Sequence, residues 1–528
     1  MKKREALGRA LPWFALAAAY ALSVAFIARC GMHNLNADDA SEMVLASLLN
    51  REGALLSRSW MYSTELRVIS PVPLYQLGLL LFPGSWHAAR TFAIAVVMLL
   101  IAAAFLFMAR RLGLRRAAPW LCAALMLPLS ATYAYVIIYR CYYAMHLVGA
   151  FLMLGLVARF GEKGLKRAGA SLGVLAALGL LSGLGGVRML TMIVIPLAGT
   201  ALLLAACACK RYGTFRAAGH EPAVRMLGAS LAIVLPSAAG YLVNMLVLSR
   251  TYTFLDYSDV KLAGFEVSDF LHQLSNMVRD LGYHADVPLF SGEGLMSVLS
   301  VLIAAMMALA LWRMAARWEA LSDAHRLLTL TAVLAVVLGM VLNVLLQQYL
   351  SRYFIVGTIL LLVVVGAALE TEPCANGLLR GAAIVLVAGC LALQAVCTMR
   401  YDYTQGEVNY EMAADWLLEN GYTQGYATFW NANVLAEASD GQIEMWVLED
   451  GRRNQWMNLE LHWLLETKEH AERDPQGRVF LLVDELENQV DAPLLDKGHL
   501  VGELVGWSYY IYGYESVDEM RALIGEGQ

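Results

Sequence analysis

Apolar residues along this chain come in long blocks separated by short polar loops. Eleven blocks approach the roughly 20 apolar residues that carry a helix across a bilayer: 11–29, 87–108, 117–136, 142–159, 169–184, 188–208, 226–248, 295–315, 327–346, 353–369 and 380–399. Within them, Gly183-Leu-Gly-Gly186 reads either as a turn or as a kink. Two further pieces are too short to span. One is Pro71-Val-Pro-Leu-Tyr-Gln-Leu-Gly-Leu-Leu-Leu-Phe-Pro83, apolar and bounded by prolines. The other is 39–49, with Met43, Val44, Leu48 and Leu49 at helical spacing. Both are predicted to be helices lying in the membrane interface. Beyond residue 400 the pattern changes. An amphipathic helix is expected over 410–418 and short strands over 425–429, 443–448 and 479–483, which together read as a small α/β domain. The chain therefore divides into a transmembrane domain, 1–399, with outside loops at 30–86 and 249–294, and a C-terminal domain, 400–528.

Composition agrees with the pattern. The chain is 59% hydrophobic, against about 45–50% for soluble proteins, and its mean hydropathy is +0.55. Residues 1–400 carry 32 Lys/Arg and 19 Asp/Glu, a net of +13, whereas residues 401–528 carry 7 and 25, a net of −18. An acidic tail speaks against a nucleic-acid partner. Basic residues sit near Lys2–Arg4, Arg110–Arg116, Lys163–Arg167, Lys210–Arg216 and Arg313–Arg326, all on one side of the predicted spans. The positive-inside rule makes that side the cytoplasm, so the acidic domain is expected outside. Short loops and Ala/Leu-rich spans point to a bacterial plasma membrane. The first block ends Ile27-Ala-Arg-Cys30 without a small-x-small site and is read as an uncleaved helix. Of the eight cysteines, Cys30 and Cys141 both fall near the outer surface, within reach of a disulfide; Cys207-Ala-Cys209 lacks a second ligand pair for zinc.

The candidate chemistry lies at the outer helix ends. Asn36-Ala-Asp-Asp-Ala-Ser-Glu42 places Asp38 and Asp39 just beyond the first span. Asp39 with Glu42 fits an N-terminal capping box, which leaves Asp38 as a partly desolvated carboxylate suited to general-base work. Arg140, Arg188 and Arg352 stand near outer helix ends, against the positive-inside bias. The planar guanidinium fork matches a phosphate, and three at one level suit a polyprenyl phosphate headgroup. Tyr142, Tyr143, Tyr349 and Tyr353 flank them, as interfacial anchors or sugar-stacking rings. Glu65, Arg67, His87 and Arg90 could line the same cleft. No nucleotide-binding loop, nucleophile elbow or zinc signature appears, and no cofactor is required, though a divalent ion bridging Asp38 and a phosphate is compatible with the residues.

Taken together, these features resemble the GT-C membrane glycosyltransferases, most of all the branch of protein mannosyltransferases and aminoarabinose transferase-like enzymes (family 39). That family usually has Asp-Glu where this chain has Asp38-Asp39. Ser70-Pro-Val-Pro-Leu-Tyr75 resembles its Pro-rich approach to the last interfacial helix, and Arg140 and Arg352-Tyr353 resemble recurrent arginine positions. The resemblance covers roughly 10–400; the tail, with Tyr426-Ala-Thr-Phe-Trp-Asn-Ala-Asn433, carries no family motif. It implies a GT-C-like helical fold and an inverting transfer of sugar from a polyprenyl-phosphate donor to an acceptor hydroxyl or amine at the outer face. Asp38, assisted by Asp39, would be the base, and the arginines would hold the leaving phosphate. The acceptor, whether lipid, protein or polysaccharide, is not named by the sequence. Two rivals make different demands. A flippase for lipid-linked oligosaccharide needs ionisable residues deep in the spans and internal repeats. A non-catalytic envelope scaffold needs its tail and not Asp38.

Overall fold

A computed structural model describes residues 2–32, 35–62, 66, 68–127, 131–139, 141–164, 169–254, 264–283, 285, 287–288, 290–347, 350–371, 388–389, 392, 409–448, 473–484, 497–504 and 509–525. Among them, seven helices are long and apolar enough to cross a membrane: Ala10–Arg29, Trp86–Arg111, Ala144–Glu162, Leu190–Tyr212, Pro222–Thr251, Gly292–Ala316 and Asp323–Leu345. Gly169–Leu184 and Ile355–Glu370 are shorter apolar helices at two more expected spans. The expected span 380–399 lies almost wholly outside the described residues.

The run 117–136 is corrected: it is broken. Ala117–Met126 is helical, Leu127 is extended (φ −101°, ψ 156°), and a short helix, Ala131–Tyr133, runs into a π-helical turn, Ala134–Tyr139. Pro128 explains the break, since proline disfavours a helical residue before it and removes a helix donor. Gly183-Leu-Gly-Gly186 resolves as a turn between Gly169–Leu184 and the helical stretch from Arg188 onward, with Gly186 at φ 110°.

Both interfacial pieces are helices, Ala37–Glu52 (α1) and Val72–Leu81 (α2). The second outside loop holds one the sequence reading missed, Val267–Asp280 (α3). Its solvent- or lipid-facing side is apolar, with Val267 66% and Leu271 58% exposed, while Gln273 and Met277 are buried. On the protein side Asp280 accepts a hydrogen bond from Thr132 (2.8 Å). An apolar face turned away from the protein suits a helix lying in a membrane interface; the missed signal was Val267, Leu271, Leu274 and Val278 at helical spacing. A two-residue parallel bridge, Met61–Tyr62 with Thr253–Phe254, ties the two outside loops together.

The tail is an α/β unit. Helix Asn409–Glu419 (α4) matches expectation, as do Gln424–Thr428 (β1), Glu444–Leu448 (β2) and Val479–Asp484 (β3). Leu500–Leu504 (β4) and Tyr509–Tyr514 (β5) complete the sheet in the order β2-β1-β3-β5-β4, the first three parallel and the last two joined antiparallel. Helix Phe429–Ala438 (α5) connects β1 to β2 and packs along α1. One sheet face shares a single apolar core with α1 and α2: Ala427, Phe429, Leu435, Phe480 and Ile511 join Ala40, Met43, Leu49, Tyr75 and Trp60. α1, α2 and the tail thus stabilise one another by burying apolar surface jointly.

Close packing within the spans depends on small residues. A Cβ on Gly183 would collide with the Ser237 carbonyl oxygen of the neighbouring helix, whereas one on Gly173 meets nothing within 4 Å. Gly183→Ala is therefore expected to cost about 1–3 kcal/mol, read as a lower melting temperature of the purified protein, with Gly173→Ala close to wild type. Equal melting temperatures would contradict this packing.

Candidate active site

The acidic pair opens α1, but the cap is Asn36, not Asp39. Asn36 is extended (φ −139°, ψ 176°) and its side-chain oxygen accepts the Asp39 N–H (3.1 Å). The cap is thus shifted three residues from the expected Asp39, which puts both Asp38 and Asp39 inside the first turn, where the helix dipole favours negative charge. Asp38 is half-buried, and its carbonyl accepts hydrogen bonds from Ser41 Oγ (2.6 Å) and from the Tyr142 hydroxyl. Asp39 and Glu42 are each 2% exposed.

Tyr142 and Tyr143 form the hinge of the constellation. Tyr142 holds the Asp38 backbone, and the next ring, Tyr143, lies under the Arg188 guanidinium, 5.8 Å to its centroid. Arg188 also faces Tyr353 at 5.8 Å, and Arg352 faces the same ring at 5.6 Å. Two of the three expected arginines therefore share one aromatic ring, and one of them reaches the turn that holds Asp38. Such cation–π contacts hold the guanidinium planes in place. Arg140, Tyr349, Glu65 and Arg67 lie outside the described residues. His87 is not part of this set: its Nε2 donates to the Ala28 carbonyl (2.8 Å), tying helix Trp86–Arg111 to the end of the first helix.

Backbone strain marks the same places. Three non-glycine residues have positive φ among those described: Cys141 (54°), Gln347 (50°) and Asp440 (53°). Cys141 lies between Arg140 and Tyr142, and Gln347 opens the loop to Arg352. Left-handed backbone at such residues is uncommon and persists where the surroundings fix it, often at functional sites. Nothing in the sequence pattern announces it.

Beneath α1, Arg90, named from the sequence as a cleft residue, meets a partner the sequence reading missed. Arg90 is 3% exposed and Glu437 of α5 is 1% exposed. They form a two-bonded pair, Arg90 Nε to Glu437 Oε1 and Nη2 to Oε2, each 2.6 Å. Nη2 also donates to the Asp39 carbonyl (2.8 Å), and the guanidinium lies 5.2 Å from the Tyr75 ring centroid. Beside Asp39 and Arg90 is a cavity of about 10 Å³, room for roughly one water. A polar cleft of about 400 Å³ opens at the other end of α1, between Ser47 and Arg51 and the tail residues Gln442 and Glu444. Among the described residues no three His, Cys, Asp or Glu side chains gather as metal ligands.

The fold is comparable with solved structures. ArnT from Cupriavidus metallidurans bound to undecaprenyl phosphate matches with a TM-score of 0.57 at 14% identity, covering 95% of this chain and 97% of that one. The same protein in the apo state gives 0.55 at 14% identity, covering 96% and 98%. The chain has the GT-C fold. The likeness spans transmembrane domain and tail alike, well beyond the 10–400 expected from the sequence. No family model matches the chain, and no curated protein matches it in sequence.

The structure also answers the cysteine question. Cys141 is a free, fully buried thiol, so the Cys30–Cys141 disulfide considered from the sequence does not form. Burial pushes its thiol from 9.0 up to about 12, about a thousandfold less thiolate at neutral pH. Cys141 is expected to resist a maleimide at pH 7.5 in folded protein and to react once unfolded, read by mass spectrometry of its peptide. Rapid labelling of folded protein would contradict its burial.

Proposed function

We propose that this chain is a membrane glycosyltransferase that moves a sugar from a polyprenyl-phosphate donor to an acceptor hydroxyl or amine at the outer membrane face. The observation that carries this reading is the Tyr142–Tyr143 turn, which binds the Asp38 backbone on one side and faces Arg188 on the other. It couples a base to phosphate-binding groups. The GT-C fold, seen in a neighbour bound to undecaprenyl phosphate, supports the choice of donor class.

In the proposed reaction Asp38 takes the proton of the acceptor group as its oxygen or nitrogen attacks the anomeric carbon. The bond from that carbon to the phosphate oxygen breaks, its electron pair leaves with the polyprenyl phosphate, and the configuration inverts. Arg188 and Arg352, with Arg140, meet the charge that develops on the leaving phosphate, an electrostatic effect often worth several kcal/mol. Asp39 acts through its backbone and buried position, below the reacting groups. The positive-inside pattern supports an outward-facing site and tail.

The test is sugar transfer from labelled polyprenyl-phosphate donors by purified protein in lipid. Asp38→Asn is expected to slow transfer about 10²–10⁴-fold while donor binding stays near wild type. Near-wild-type transfer by this variant would refute Asp38 as the base. Arg188→Gln and Arg352→Gln are expected to weaken donor binding about tenfold or more, measured by titration with undecaprenyl phosphate; unchanged affinity in both would remove their assigned role. Donor movement across liposomes without covalent product would instead support a flippase.

A further inference from the structure

The segment that carries Asp38 is gripped from the tail on both sides. Before it, Tyr410 of α4 donates its hydroxyl to the Met32 carbonyl and lies 3.4 Å from the Leu35 carbonyl. After it, Glu437 of α5 fixes the Arg90 guanidinium, which donates to the Asp39 carbonyl. The tail is itself seated on helix Trp86–Arg111. Asp440 Oδ1 accepts the Trp86 N–H (2.6 Å), and Gly441, at φ 73°, lies so close that a Cβ would meet Trp86 Cζ2 at 2.5 Å. The Tyr410 and Arg90 bonds are directional and made to main-chain carbonyls, so they fix backbone position where an apolar contact would leave freedom to slide.

We infer that the tail domain is the positioning device of the catalytic carboxylate, with Tyr410 and Glu437 as positioning residues that hold residues 32–39 so that Asp38 faces the reacting group. This rests on the glycosyltransferase reading for its catalytic consequence. The bonds of Tyr410 and Glu437 run to the Met32 carbonyl and to Arg90, so the inference assigns these two residues no part in holding the donor phosphate. Tyr410 is suited to its part over a wide pH range. Burial, with the carboxylates of Glu411 and Glu437 nearby, pushes its phenol well up, so it stays a donor.

Tyr410→Phe removes only the hydroxyl and keeps the packed ring. Glu437→Gln keeps the shape and removes the charge. In the full-length protein both are expected to lower kcat, taken per folded molecule, about 10- to 100-fold with the KM for a polyprenyl-phosphate sugar unchanged. Hydrogen exchange gives a readout that needs no turnover: amides 35–42 are expected to exchange at least tenfold faster in Tyr410→Phe, with 323–345 unchanged. If Glu437→Gln fails to fold because Arg90 is left unpaired, Tyr410→Phe decides. Wild-type kcat together with wild-type exchange in Tyr410→Phe would overturn the inference. Wild-type protein that transfers no sugar would refute the proposed function; the exchange result then decides whether the tail holds this segment. Faster exchange with wild-type kcat would overturn the catalytic half of the inference.

Discussion

A buried ion pair, Arg90 with Glu437, organises the outer half of this protein. Its partners lie 347 residues apart. One comes from the second turn of a transmembrane helix and the other from a helix of the tail. Two charges out of water are costly to bury, and removing one partner of such a pair commonly costs about 3–5 kcal/mol. The arrangement is made more tolerable by a third guanidinium bond: Arg90 Nη2 also meets the Asp39 carbonyl. The pair therefore joins three pieces of chain at one point, and α1 cannot shift without leaving a buried guanidinium incompletely paired. The apolar core shared by α1, α2 and the tail sheet supplies the adhesion, while the pair supplies the register.

From that fixed point the site is assembled in two directions. Upward, α1 presents Asp38 in its first turn. Sideways, the Tyr142 hydroxyl links the Asp38 backbone to a strained turn whose next residue faces Arg188, and Arg188 shares the Tyr353 ring with Arg352. The carboxylates and the arginines thus come from separate elements: α1 for the former, and the starts of two apolar helices for the latter. In the proposed reaction the lipid phosphate and the acceptor meet between them, and such chemistry needs each group held to within a fraction of an ångström.

Much of this was legible in the sequence because apolar block length and interfacial prolines report directly on the bilayer. The arginines and the Asp38 loop were singled out by their misfit with the positive-inside bias and by their place after the first span, and the structure links Arg188 and Arg352 through Tyr353. Local rules failed where two signals competed. Asn36 took the cap that Asp39-x-x-Glu42 suggested, and Pro128 broke a run that length alone read as a span. The helix Val267–Asp280 was hidden by its polar residues, because its apolar face turns outward and its polar face inward. The strands Leu500–Leu504 and Tyr509–Tyr514 were overlooked despite an aromatic-rich run that favours strand. Glu437 was beyond reach: an acidic residue in an acidic tail looks solvated until the fold brings Arg90 to it.

A structure of the protein in lipid with a polyprenyl phosphate bound tests the central claim most directly. The account predicts phosphate oxygens about 3 Å from the guanidinium nitrogens of Arg188 and Arg352, with Asp38 on the side open to the acceptor and the Arg90–Glu437 pair intact. A phosphate seated away from both arginines, or a site in which α1 and the tail have separated, would contradict it.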